Sequence, residues 1–207
     1  MDGGTSGGAK AVVDPTSGSL TLTNAVVLDA SAASTVIQTT GGQNLTLSKS
    51  GGQSFAQLGS GTTVAIPDNK PLEVTGGSAG DVLVLDFTGG HPIPSGLIFD
   101  GGAGDDGITV NGTFTAVTYD ATKSNGSSGD GTLKLDGTSI QFKNLEPLDL
   151  SGSTVTDLTV SVDTGDTVVG LVTTTITANG ANTEITFAPF FEGVILGTIT
   201  GSLTING

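Results

Sequence analysis

Apolar residues recur every 25 positions through the middle of the chain, at Leu58, Leu83, Ile108, Leu133 and Leu158. Four of them open an alternating triplet: Leu83-Val84-Leu85, Ile108-Thr109-Val110, Leu133-Lys134-Leu135 and Leu158-Thr159-Val160. Alternation puts the outer two residues of each triplet on one face of a strand. A repeat this short cannot bury its own apolar face, so burial has to come from stacking on the next repeat. A second series runs Leu20 and Leu22, Leu45 and Leu47, Leu72 and Val74, Leu97 and Phe99, Leu148 and Leu150, Leu203 and Ile205. With Gly, Asn, Asp and Ser turns between them, the two series predict an all-β fold, a parallel β-solenoid with ~25-residue coils. The usual crossover preference favours a right-handed coil, and the residues themselves do not fix the hand. About eight such coils would build a rod roughly 40 Å long.

The expected organisation is one elongated unit over residues 1–207, with N-terminal coils over 1–70 and repeat-bearing coils over 71–207. Within it, residues 71–89 (PLEVTGGSAGDVLVLDFTG) resemble 147–165 (PLDLSGSTVTDLTVSVDTG), and 95–101 (SGLIFDG) resemble 201–207 (GSLTING). Such repetition is expected of a slice of something longer. Residues 120–130 (DATKSNGSSGD) interrupt the ladder and read as a loop, and Asn111-Gly112 and Asn125-Gly126 read as turns. The start, Met1-Asp2-Gly3-Gly4, lacks the basic and apolar regions of a signal peptide. Residues 188–205 are apolar, but Glu192 and the glycines at 193, 197 and 201 argue against a membrane span.

Charge narrows the partners. Twenty Asp and Glu stand against six Lys and no Arg, for a net charge of −14. Such a surface repels phosphate backbones and anionic lipid heads, so no nucleic acid partner and no membrane insertion are expected. Cations are the natural counterpart. With no Cys in the chain, disulfides, thiolate metal sites and thiol catalysis are excluded.

Residues 91–150 pass from an Ile93-Pro94 turn through the Gly-Asp run at 101–107 to a strand that ends in Leu145-Glu146-Pro147-Leu148. This segment resembles one that recurs in very large, repetitive, secreted bacterial surface proteins and adhesins of planctomycete type. The resemblance implies an extracellular or cell-surface location and a structural role without enzyme activity. Residues 1–70 resemble autotransporter-style passenger coils only in a generic way.

Residues 101–109, Gly-Gly-Ala-Gly-Asp-Asp-Gly-Ile-Thr, fit the RTX-type calcium nonapeptide GGxGxDxUx, and residues 76–84 fit it with Ala79 in place of the third Gly. Turn carbonyls and carboxylates supply hard oxygen ligands for Ca2+, and glycines let the backbone curl round the ion. The candidate ligands are Asp81, Gly101, Ala103, Asp105, Asp106 and Asp130, with Asp157 extending the column at near-coil spacing. The match departs from tandem nonapeptide arrays, whose neighbouring turns sandwich each ion: here one good and one weak copy lie a coil apart. The competing reading is that Gly-Gly-Asp makes tight corners and the Asp side chains bond backbone N–H groups.

Catalysis is weakly supported. Parallel β-helices also serve as glycan-active enzymes, and Asp81 with Asp106 on adjacent coils could supply a carboxylate pair. Yet lyases of acidic sugars need Arg or Lys, and the chain offers Tyr119 and no Trp for sugar stacking. His91, the only His, sits beside Pro92 and reads as a solvated loop residue. The Asn-x-Ser/Thr matches at Asn44, Asn111 and Asn125 are expected by chance in so Thr-rich a sequence. Thr is expected on the solvent-facing half of each strand rather than in an ice-binding ladder. The function expected is therefore a rigid stalk or spacer of a large adhesin, with calcium as its candidate stiffening ion, adjoining repeats as its neighbours and an unknown surface glycan or protein ligand. The alternative is a self-assembling fibre or S-layer-like lattice subunit, in which identical copies stack end to end because no terminal segment reads as a cap.

Overall fold

The computed structural model describes residues 34–39, 41–124, 127–163, 173–179, 182–188 and 191–206. Among them the regular structure is entirely β. The strands are β1 (Thr35–Gln38), β2 (Asn44–Ser50), β3 (Gln53–Leu58), β4 (Val64–Ile66), β5 (Leu72–Thr75), β6 (Val82–Asp86), β7 (Leu97–Asp100) and β8 (Gly107–Ser124). They continue as β9 (Ser127–Leu135), β10 (Thr138–Lys143), β11 (Leu148–Asp149), β12 (Ser153–Asp163), β13 (Thr173–Asn179), β14 (Asn182–Ala188), β15 (Phe191–Leu196) and β16 (Thr198–Asn206).

Two ladders share β8. The first runs β1-β5-β7-β10-β9-β8-β12-β16 and is parallel except at β9, which is antiparallel to both neighbours. The second has a parallel centre, β2-β6-β8-β11-β15, flanked by antiparallel β3 and β4 at one end and β14 and β13 at the other. The changeover falls at Asn111-Gly112: Asn111 pairs with Asp86 in the second ladder and Gly112 with Ser153 in the first. The dipeptide read as a turn is thus a bend inside one continuous strand.

The 25-residue register holds where Leu72 pairs with Leu97 and Leu83 with Ile108. Elsewhere it breaks. Leu58 lies opposite Leu45 in a hairpin, Leu133 sits between Tyr119 and Ile140 in antiparallel pairings, and Leu158 pairs with Val117 rather than Leu133. The expectation of uniform parallel coils is therefore replaced by an all-β sheet of mixed orientation. The reason is local turn chemistry. Gly51-Gly52 (φ 58° and 82°) and Asp136-Gly137 (φ 47° and 91°) each have positive φ at both positions, which matches the right-handed twist of two strands joined by two residues. The predicted loop over 120–130 is likewise mostly strand, with Thr122 opposite Asp130 and Ser124 opposite Ser127. Asn125-Gly126 itself lies outside the described residues, as does the expected rung at Leu20 and Leu22.

The inward columns of both ladders meet in one core. Leu58, Leu45, Leu83, Ile108, Leu148, Val194 and Ile185 form one register line. Leu72, Leu97, Ile140, Leu133, Tyr119 and Val160 form another, and all of these side chains are buried in a single cluster. Gly131 sits between Phe142 and Ala121 on the next line. There the Phe142 ring stacks on Tyr119, centroids 5.5 Å apart and 5° from coplanar, and a Cβ at Gly131 would overlap the Asp120 carbonyl oxygen and stand 2.6 Å from Phe142 Cζ. The glycine leaves the room in which an aromatic pair spans β9.

Phe142→Ala is expected to lower unfolding free energy by about 3–5 kcal/mol, since it opens a cavity at a fully buried site. Gly131→Ala should cost about 1–3 kcal/mol through overpacking. Urea titrations followed by circular dichroism measure both, and a Gly131→Ala variant as stable as the parent would contradict this packing.

Candidate functional site: the stacked glycine-aspartate corners

The chain leaves the first ladder and enters the second at four successive corners, described at residues 39 and 41–43, 75–81, 100–106 and 143–147. Each corner is hydrogen-bonded to the next. On the exit side Thr39 N–H donates to Thr75 O at 2.9 Å, Gly76 N–H to Asp100 O at 2.7 Å and Gly101 N–H to Lys143 O at 3.0 Å. On the entry side Gly107 N–H donates to Asp81 O at 2.9 Å, and Glu146 N–H donates to Asp106 O. At the tip, Ala103 N–H reaches Gly77 O at 3.1 Å.

This stacking explains the glycines. A Cβ at Gly76 would overlap the Gly101 carbonyl oxygen, and one at Gly101 would lie 2.5 Å from Asp106 Cβ and 2.6 Å from Asn144 O. Backbone passes where a side chain would otherwise stand.

It also explains the aspartates. Asp106 Oδ1 accepts Asp81 N–H at 2.7 Å, and one corner earlier Asp81 Oδ1 accepts Gln43 N–H at 3.2 Å. Asp81 Oδ2 takes Gly77 N–H at 2.7 Å and Thr39 Oγ1–H at 3.1 Å. Each carboxylate thus reaches back one rung to satisfy a donor that the turn leaves without a strand partner. Asp81 is 3% exposed and Asp106 fully buried. The second oxygen of Asp106, Oδ2, has no hydrogen-bond partner. Burial raises the Asp106 pKa above the usual carboxylate value. The Asp81 N–H bond acts in the opposite direction, and the charges of Asp81, Asp105 and Asp100 add to the rise.

Of the predicted ligands, Asp81, Asp106 and Gly101 come together. Ala103 and Asp105 are exposed on the rim of the corner. Asp130 lies on β9 and joins indirectly: Asn144 N–H donates to Asp130 Oδ1 at 3.3 Å while Asn144 Nδ2 donates to Asp100 Oδ1 at 2.9 Å. Asp157 is not in the column; it lies on β12, where its Oδ1 accepts Ser202 N–H at 3.1 Å. Among the described residues, no three Asp, Glu or His side chains converge as a metal-holding group. Asp100, Asn144, Thr39 and Gln43 also belong to the corners, and no motif in the sequence marks them. The 25-residue step from Thr75 to Asp100 could have exposed one of them, whereas Asn144 required the positive φ of 53° seen at the fourth corner.

His91 is half-buried rather than solvated. It packs edge-on against Phe87 with centroids 5.1 Å apart. Ile93 N–H donates to its Nδ1 at 3.3 Å, which leaves Nε2–H to donate to Thr138 Oγ1 at 2.5 Å, the neutral tautomer. Burial, and secondarily the Lys49 charge, lower its pKa. An open groove of ≈420 Å3 on the other side of Thr138 runs past Pro94, Ile98 and Gln141 and has no ionisable side chain in its lining. No family model matches this chain, and no curated protein or solved structure is significantly similar to it.

Asp106→Ala is expected to cost about 1–3 kcal/mol, because it strands the buried Asp81 N–H. Asp106→Asn keeps the acceptor and carries no charge. In the parent, the folded chain holds this proton more tightly than the unfolded chain, so the penalty of the charged form fades as pH falls through the raised value towards 3.8. The stability difference between parent and Asp106→Asn should therefore move in the parent's favour from about pH 7 to about pH 4. A pH-independent difference would contradict this assignment.

His91 has the opposite sign. Its folded value is depressed, so its contribution is intact above the ordinary value of about 6.5 and is lost as pH falls through the folded value. Melting curves from about pH 8 to about pH 5 should fall more steeply for the parent than for His91→Gln.

Proposed function

We propose that this chain is a non-catalytic structural segment, a rigid stalk or spacer of a large extracellular bacterial adhesin or surface protein. Its parallel rungs act as a β-solenoid that hairpins widen. The observation that carries this reading is the set of stacked corners, where backbone and carboxylates of successive rungs are bonded to one another. Asp81 and Asp106, the carboxylates best placed to form a catalytic pair, are instead engaged in holding rungs together. The acidic surface, which repels other anionic polymers, and the resemblance of residues 91–150 to repetitive surface proteins favour an extracellular setting.

Calcium is not needed by this reading, because Asp81 Oδ1 and Oδ2 and Asp106 Oδ1 already accept hydrogen bonds. Melting in millimolar calcium and in EGTA should give the same midpoint. A metal bound at a hundred times its Kd would add about 2.7 kcal/mol, or roughly 5–10 °C for a chain of this size, so a rise of that order that vanishes in Asp106→Ala would replace the reading with a calcium-stiffened one. With a panel of acidic and neutral polysaccharides, the chain should release neither reducing ends nor unsaturated uronates. Sustained turnover abolished by Asp106→Asn would make it a glycan-active enzyme instead.

A further inference from the structure

The outer edge of β16 stands apart from the other rungs. Among the described residues β16 pairs only with β12. It prolongs three register lines of the first ladder: Val117, Leu158 and Leu203; Thr118, Thr159 and Thr204; Tyr119, Val160 and Ile205. Leu158 is fully buried, whereas Leu203 on the same line is 38% exposed. The line ends one rung short of burial. Natural edge strands are guarded by charge, proline or a bulge. Thr198–Asn206 contains no charged residue and no proline, and its one irregularity, the register shift opposite Val155 and Asp157, leaves Ser202–Asn206 in unbroken pairing.

A strand of matching pattern exists in the chain. Residues 18–24 read Gly-Ser-Leu-Thr-Leu-Thr-Asn, and residues 201–206 read Gly-Ser-Leu-Thr-Ile-Asn. Residues 18–24 lie outside the described residues, among the 33 that precede Ser34. The rung that spacing suggests for Leu20 and Leu22, alongside Leu45 and Leu47, is not open to them, because β2 already has β3 on one edge and β6 on the other. Laid parallel on β16, the same residues continue each line with like on like: Leu203 and Leu20, Thr204 and Thr21, Ile205 and Leu22. Both strands then bury an apolar face, and the unpaired backbone groups of the edge are satisfied.

We propose that the outer edge of β16, unpaired among the described residues, receives residues 19–23 of a second copy of this chain as one further parallel rung. The inference rests on the stalk reading above. Residues 19–23 precede β1, and β1 lies at the opposite end of the first ladder from β16, seven strand spacings or about 34 Å away. A partner that enters at β16 therefore carries its own β1 onward in the same direction. A head-to-tail contact of this kind does not close on itself, so it propagates.

The absence of Cys gives the test a clean background. Adjacent parallel rungs about 4.8 Å apart fall within the Cα separation of a disulfide, about 4.4–6.8 Å. Thr21→Cys and Thr204→Cys chains, mixed and oxidised, should shift from monomer to a disulfide-linked dimer, and the double variant should give a ladder of multimers that reductant collapses. Thr21→Cys mixed with Thr46→Cys, on the fully paired β2, should stay monomeric. Circular dichroism and melting of the reduced variants establish that they are folded. The proposal is overturned if folded double variant oxidises only to an internally linked monomer, if it forms no disulfide, or if the Thr46→Cys control cross-links as readily. None of those results touches the stalk reading, which fails separately on polysaccharide turnover.

Discussion

The structure depends on one arrangement: backbone turning the same corner on successive rungs, close enough that carbonyl, N–H and carboxylate of one rung bond the next. Those contacts set the register of both ladders. Once Gly76 N–H meets Asp100 O and Gly107 N–H meets Asp81 O, Leu72 faces Leu97 and Leu83 faces Ile108. A one-residue slip would turn every apolar side chain outward. The corner also fixes composition. Glycine is required where carbonyl oxygen of the next rung stands in the place of a Cβ, and aspartate is suited where a short acceptor has to reach back one rung.

Asp106 shows the cost of that solution. Its Oδ1 secures the corner, but Oδ2 is carried into the interior without a partner. Burying a carboxylate disfavours its charge, and three neighbouring carboxylates add to the effect. The group is best understood as a structural acceptor tolerated in an unfavourable setting. The same geometry that makes the sequence look like a metal-binding nonapeptide draws its carboxylates into the stack.

Between the corners the chain departs from simple winding. Hairpins at Gly51-Gly52 and Asp136-Gly137 insert antiparallel strands into otherwise parallel ladders. The core absorbs them because antiparallel neighbours keep the inward line: Leu133 fills the place between Ile140 and Tyr119 as a parallel rung would. At Gly131 the line lacks a side chain, and the Phe142 ring, stacked on Tyr119, lies against it. The result is one core shared by parallel and antiparallel segments.

The sequence by itself determined that the chain is all β, which residues face inward, and that corners rich in Gly and Asp recur at a fixed step. Alternation and turn composition are local properties, and local properties survive in any arrangement of the strands. Strand direction was not legible, because an alternating triplet such as Leu133-Lys134-Leu135 reads the same in a parallel rung or a hairpin. The two-residue turns that settle the matter, Asp136-Gly137 above all, are short local signals that a 25-residue period masks. Nor could spacing alone distinguish Asp106, buried beneath a corner, from Asp105 on its rim, or place Asp157 on a different ladder. Only the tertiary structure decided those points, since they depend on which backbone donors each rung leaves unpaired and on what the next rung brings against them.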